Sequence, residues 1–82
     1  MPRIKVLFFA TLRDHAKKKS IELDIPDGFT VLELKDRIIH EIPALREPMD
    51  SVVLSVNREF AFDENPIPDG AEVALFPPVS GG

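Results

Sequence analysis

Thr30-Val31-Leu32-Glu33 has the form of a capping box, in which the threonine hydroxyl and the glutamate carboxylate each satisfy an amide left open at a helix start. Phe29 and Leu34 occupy the two positions of a hydrophobic staple around it. Val31, Leu34, Ile38 and Ile42 then recur at helical spacing and make one apolar stripe. Glu33 and Arg37 are placed to pair at i, i+4 on the polar side. Pro43 ends the helix, because it has no amide hydrogen and restricts the residue before it. This is the best-determined element of the chain. Its stripe must be buried, so the chain is confined to folds in which one amphipathic helix lies on one face of a sheet.

The rest of the pattern is that of strands. Residues 4–9 alternate, with Ile4, Val6 and Phe8 on one face and Leu7 and Phe9 on the other. Residues 20–25 alternate as well, with Ile21, Leu23 and Ile25 inward and Glu22 and Asp24 outward. Residues 10–16 suit a short helix with Leu12 inward and Arg13 and Asp14 outward. Residues 44–50, punctuated by Pro48, read as irregular. Residues 51–56, 60–62 and 72–76 read as strands, with a turn at Asn57-Arg58-Glu59. Pro26-Asp27-Gly28 and Pro68-Asp69-Gly70 are further turns. Two hairpins separated by one helix suit an α+β, β-grasp arrangement, a mixed sheet of about four to five strands packed against one main helix. In that arrangement the first and last strands lie side by side at the sheet centre.

Composition removes most chemistries. The chain has 82 residues, enough for one domain with a small core. It has no cysteine, so disulfides, thiolate nucleophiles and a persulfide held on this chain are excluded. Two histidines, His15 and His40, are too few for a His-built metal site. No bound cofactor is expected. A net charge of -4 argues against nucleic acid as the main ligand. Lys17-Lys18-Lys19 is the only basic run and reads as a solvated loop. No apolar run approaches the roughly 20 residues of a membrane span, so no membrane partner is expected. Met1-Pro2-Arg3 leads straight into the first strand, and a cytoplasmic setting is the default expectation.

The remaining informative segment is residues 77–82, a tail after a body of residues 1–76. Pro77-Pro78 removes two amide donors and fixes φ near -65°, so sheet pairing stops and the chain leaves in extended form. From Pro77 to Gly82 it reaches roughly 20 Å when extended, enough to thread a buried active site. Gly81 and Gly82 let the backbone pass where a Cβ would clash. The α-carboxyl, with a reference pKa of about 3.3–3.7, is ionised at pH 7 and is a poor electrophile until activated, for which an acyl-adenylate is the expected form. Gly82 offers no steric block to that activation and has no stereocentre to racemise. The tail is therefore expected to carry the chemistry, inside a partner. One helix covers only one sheet face, so Leu7, Phe9, Ala74 and Phe76 are expected to gather on the other as a partner surface. Phe76 is the leading candidate because it adjoins the tail.

Val6-Leu7-Phe8-Phe9-Ala10-Thr11-Leu12-Arg13-Asp14 and Ala74-Leu75-Phe76-Pro77-Pro78-Val79-Ser80-Gly81-Gly82 closely resemble the small-subunit (MoaD) family of molybdopterin synthase. That family sits within the ubiquitin-like sulfur carriers, which also include the thiamin carrier ThiS. The resemblance spans essentially the whole chain and implies a ubiquitin-like β-grasp fold. It implies that an E1-like, MoeB-type adenylating enzyme uses ATP and magnesium to convert the Gly82 carboxylate to an acyl-adenylate, and that a sulfur donor then leaves a thiocarboxylate. It implies a MoaE-like large subunit that receives the tail in a heterotetramer of two small and two large subunits, where sulfur passes to cyclic pyranopterin monophosphate. Partner contacts are implied for Phe76, Pro77, Pro78, Val79 and Ser80, with Leu7 and Phe9 added by the open-face reading. Arg13 matches the family's arginine in the first helix and is given no catalytic role. Delivery to thiamin thiazole or to tRNA thiolation, and conjugation to lysine as a protein modifier, stay open as alternatives.

Overall fold

The computed structural model describes residues 2–78. Five strands, β1 (Arg3–Phe8), β2 (Ser20–Asp24), β3 (Val53–Val56), β4 (Glu59–Phe60) and β5 (Glu72–Phe76), form one mixed sheet in the order β2-β1-β5-β3-β4. β1 and β5 are parallel neighbours at its centre, with Val6 opposite Val73 and Phe8 opposite Leu75. β2 and β3 pair antiparallel on either side of them. This is the expected ubiquitin-like β-grasp arrangement. The strands alternate as their sequences require: Ile4, Val6, Phe8, Leu54, Val73 and Leu75 are buried on one face.

Against that face lies α2 (Val31–Glu41), whose Val31, Leu34 and Ile38 are buried, while Ile42 is half-buried just beyond the helix end. The capping box forms in both directions. Glu33 N–H donates to Thr30 Oγ1 at 3.2 Å, and Thr30 N–H donates to Glu33 Oε1 at 3.0 Å. Replacing Thr30 by alanine removes one half of this exchange and is expected to cost about 1 kcal/mol, read as a lower urea midpoint with unchanged slope. The cap also corrects an expectation. Glu33 Oε1 is already shared by the Thr30 amide and hydroxyl, so Arg37 pairs instead with Glu41, Nε to Oε1 at 3.2 Å.

A second correction concerns residues 44–50. Pro43 stops α2 but opens a 3-10 turn, Pro43–Leu45, which runs into a short helix α3 (Arg46–Met49). Leu45 and Met49 lie four apart, share one side of this turn and are both buried in the main core, which holds the segment in helical form despite Pro48. The strands of residues 4–9, 20–25, 51–56 and 60–62 are shifted or shortened to the bounds given above, and Glu59, expected in the turn, opens β4. α1 (Thr11–Ala16) buries Leu12 and Ala16 in the same core, with Arg13 and Asp14 exposed. No helix among the described residues is long and apolar enough to cross a membrane.

Candidate functional site

The buried residues of every helix belong to one core on one side of the sheet, and this leaves the other face open. Strand registers fix what that face displays. Leu7 stands opposite Ala74, Ala74 opposite Ser55, and Ser55 opposite Phe60, which makes one row across four strands. The next row toward the chain's exit holds Phe9, Phe76 and Val53, the last two direct partners in the β3–β5 ladder. The rings of Phe9 and Phe76 stack, with centroids 4.7 Å apart and planes 12° from parallel. A hydrogen bond from Phe9 N–H to Leu75 O at 3.2 Å extends the β1–β5 pairing beneath the two rings.

Phe9 is held there by an unusual backbone. Ala10 has φ 51° and ψ -128°, and Leu12 N–H donates to Phe9 O at 3.1 Å across it. That conformation favours glycine, so the turn that launches α1 stores strain beside the stacked rings. The opposite end of the face is polar. The register brings Lys5 between Glu22 and Glu72. Arg3 donates from Nε to Glu22 Oε1 at 3.0 Å and from Nη1 to Asp24 Oδ1 at 3.2 Å. The hydrogen bond to Glu22, then the charge of Asp24, raises the Arg3 guanidinium above its ordinary value.

The open face is thus graded: charged at the start of β1, apolar where β5 releases the chain. Leu7, Ala74 and Phe76 are half-buried, Phe9 is 40% exposed, Pro77 is half-buried and Pro78 exposed. These are the residues expected from strand alternation, and the fold brings them together. Val79, Ser80, Gly81 and Gly82 lie outside the described residues.

Two members of the surface were not legible in the sequence. Phe60 is 75% exposed and, with Leu7, Phe9, Ala74 and Phe76, walls a depression of about 360 Å³. Phe62, 68% exposed, lines an adjoining depression of about 620 Å³ with Phe60 and Val53. The signal that places Phe60 is the hairpin turn. Asn57 and Arg58 both have positive φ, 51° and 71°, as a type I′ turn requires, and a two-residue turn of that kind sets Val56 opposite Glu59 and Ser55 opposite Phe60. Asn57 is further tied to β5, its N–H donating to Glu72 O at 2.8 Å and its Oδ1 accepting from Glu72 N–H at 3.0 Å.

No group of three or more His, Asp or Glu side chains among the described residues could hold a metal ion. What the site offers is a desolvatable aromatic surface next to the exit of the central strand. Exposed apolar clusters of this kind are the surfaces that mark interaction sites on proteins.

The family model described as ThiS family matches residues 6–82. The molybdopterin synthase sulfur carrier subunit of Chlamydomonas reinhardtii is 38% identical over 82 residues, covering 98% of this chain and 99% of that protein. Among solved structures, SAMP1 of Haloferax volcanii superposes with a TM-score of 0.88 at 30% identity, covering 98% of this chain and 99% of that one. A complex of subunits 1 and 2 of the molybdopterin-converting factor from Helicobacter pylori contains a chain that matches with a TM-score of 0.69 at 26% identity, over 98% of this chain and 99% of that one.

Proposed function

The chain belongs to the ThiS family, and we propose that it is a sulfur carrier that bears sulfur on the C-terminal carbonyl of Gly82 and delivers it to a molybdopterin synthase large subunit. One observation carries this reading. In a chain similar end to end to molybdopterin synthase sulfur carrier subunits, the central strand β5 releases Pro77-Pro78 beside an exposed aromatic surface.

An E1-like, MoeB-type enzyme supplies ATP and magnesium. An oxygen of the Gly82 carboxylate attacks the α-phosphorus, pyrophosphate leaves, and the acyl-adenylate forms. A sulfide equivalent then attacks the carbonyl carbon; the C–S bond forms as the bond to AMP breaks, leaving a thiocarboxylate. In the large subunit, sulfur passes to cyclic pyranopterin monophosphate. This chain supplies reach, a slim backbone and a docking face, and holds no cofactor of its own. The setting is cytoplasmic, where ATP and the activating enzyme are available.

The test is reconstitution. Thiocarboxylated chain mixed with a molybdopterin synthase large subunit is expected to convert cyclic pyranopterin monophosphate to molybdopterin, and unloaded chain is not. Conversion of a thiazole precursor or thiolation of tRNA, with none of molybdopterin, would move the carrier to another pathway. The likeness to SAMP1, a small archaeal modifier protein, favours one second reading, conjugation of Gly82 to lysine. A Gly82-lysine branch on cellular proteins is its signature.

Phe76→Ala is expected to weaken binding to the large subunit by at least about tenfold, since a buried aromatic hot spot at an interface is worth about 2 kcal/mol or more. Sulfur loading in free solution with saturating activating enzyme persists. Isothermal titration against the large subunit reads the first effect and intact mass the second.

A further inference from the structure

The sheet has two free edges, and they differ. β4 is two residues long, whereas β2 exposes a five-residue edge, Ser20–Asp24. Lys19 O accepts from Phe8 N–H at 2.9 Å, and Ile25 N–H donates to Pro2 O at 2.8 Å. With the register of Ile4 to Leu23 and Val6 to Ile21, odd-numbered residues of β2 therefore turn their amides to β1. Ser20, Glu22 and Asp24 turn theirs outward, along the open edge. Beside that edge, between β2 and the end of α2, lies a groove of about 420 Å³ lined by Ile21, Leu23 and Ile42 together with three basic side chains (Arg3, Lys18, Arg37) and three acidic ones (Glu22, Asp24, Glu41). Arg37 is paired with Glu41 along its α2 side, and Arg3 with Glu22 and Asp24 on its strand side. Lys17, Lys18 and Lys19, which lead into β2 and are all exposed, make no ion pair among the described residues. The uncompensated charge at this end of the groove is positive, in a chain of net charge -4.

We propose that the β2 edge is a second docking site, for an extended polypeptide segment of a partner that adds as an antiparallel strand, rests apolar side chains on Ile21 and Ile42, and ends in acidic residues against Lys17-Lys18-Lys19. Main-chain hydrogen bonds to Ser20, Glu22 and Asp24 give the affinity, and the lysines fix direction, because an antiparallel strand brings its C-terminal end to the start of β2. The site is on the edge opposite β4, away from Phe76 and the tail. A partner held there can keep the carrier bound while the tail is engaged elsewhere. This inference does not depend on the sulfur-carrier reading, and its test uses no activating enzyme.

The probe is a synthetic peptide, Ile-Val-Ile-Val-Asp-Glu-Asp, titrated into the full chain and followed by amide NMR and hydrogen exchange. The expected result is saturable binding with exchange slowed at Ser20, Glu22 and Asp24, the alternating pattern of strand addition. Lys17→Glu, Lys18→Glu and Lys19→Glu together are expected to lower affinity about tenfold, as for a few exposed ion pairs. Glu22→Pro removes an outward amide, which an edge strand tolerates, together with the exposed carboxylate that pairs with Arg3, and is expected to abolish binding while leaving the β1–β2 backbone pairing intact; Glu22→Ala, which removes the carboxylate alone, is expected to bind as the parent does. Absence of saturation at millimolar peptide would overturn the proposal. So would shifts centred on Leu7 and Phe76, or shifts confined to the lysine amides without exchange protection. The wild-type exchange pattern decides the matter even if a variant fails to fold.

Discussion

A chain lacking Gly82 is expected to fold as the parent does and to accept no sulfur. The two halves of this result have separate causes. Folding is set by the body, where β5 is locked between β1 and β3 and the core is complete by Leu75. Loading is set by where the terminal carbonyl sits in the activating enzyme. Removing one residue withdraws the carboxylate by about 3.3–3.6 Å, far beyond the roughly 1 Å misplacement that already costs on the order of a hundredfold in rate. Adding one alanine after Gly82 is expected to fail as badly, since it moves the carboxylate past the site and brings a Cβ to it. Circular dichroism checks the first half. Adenylate-dependent pyrophosphate release and intact mass check the second.

The largest stability effect is expected at Leu34. It is fully buried on the one long helix covering the sheet, in contact with the core that both central strands share. Leu34→Ala is expected to cost about 2–5 kcal/mol, through lost burial and an unfilled cavity. A domain of this size has only about 4–12 kcal/mol in total. A large share of its stability is therefore removed, and a thermal midpoint lower by about 8–40 °C is the measurable consequence. Leu32→Ala, two residues earlier on the same helix, on its opposite side and 49% exposed, is expected to change little.

Short-range signals were legible from residue types alone. Thr30 and Glu33 cap α2 as their spacing demands, and the alternation of Ile4 to Phe9 correctly divides core from open face. The stacked pair Phe9–Phe76 follows from that alternation once β1 and β5 are neighbours. What was not legible depends on competition or register. Arg37 had two carboxylates in reach, and only the prior engagement of Glu33 by Thr30 decides for Glu41. Two prolines made residues 44–50 look irregular, yet burial of Leu45 and Met49 outweighs the local preference. Phe60 joins the aromatic surface because Arg58, a residue with no liking for positive φ, completes a two-residue turn that pins the β3–β4 register. The strain at Ala10 has no sequence signature, since glycine and not alanine marks such a turn.

The most direct measurement is tandem mass spectrometry of the chain after incubation with an E1-like adenylating enzyme, ATP, magnesium and sulfide. The expected product is heavier by the exchange of one oxygen for sulfur, with the whole difference on the fragment containing Gly82. A chain that stays unmodified while the enzyme turns over a known carrier, or that takes up sulfur anywhere else, would contradict a carrier whose cargo rides on its own last carbonyl.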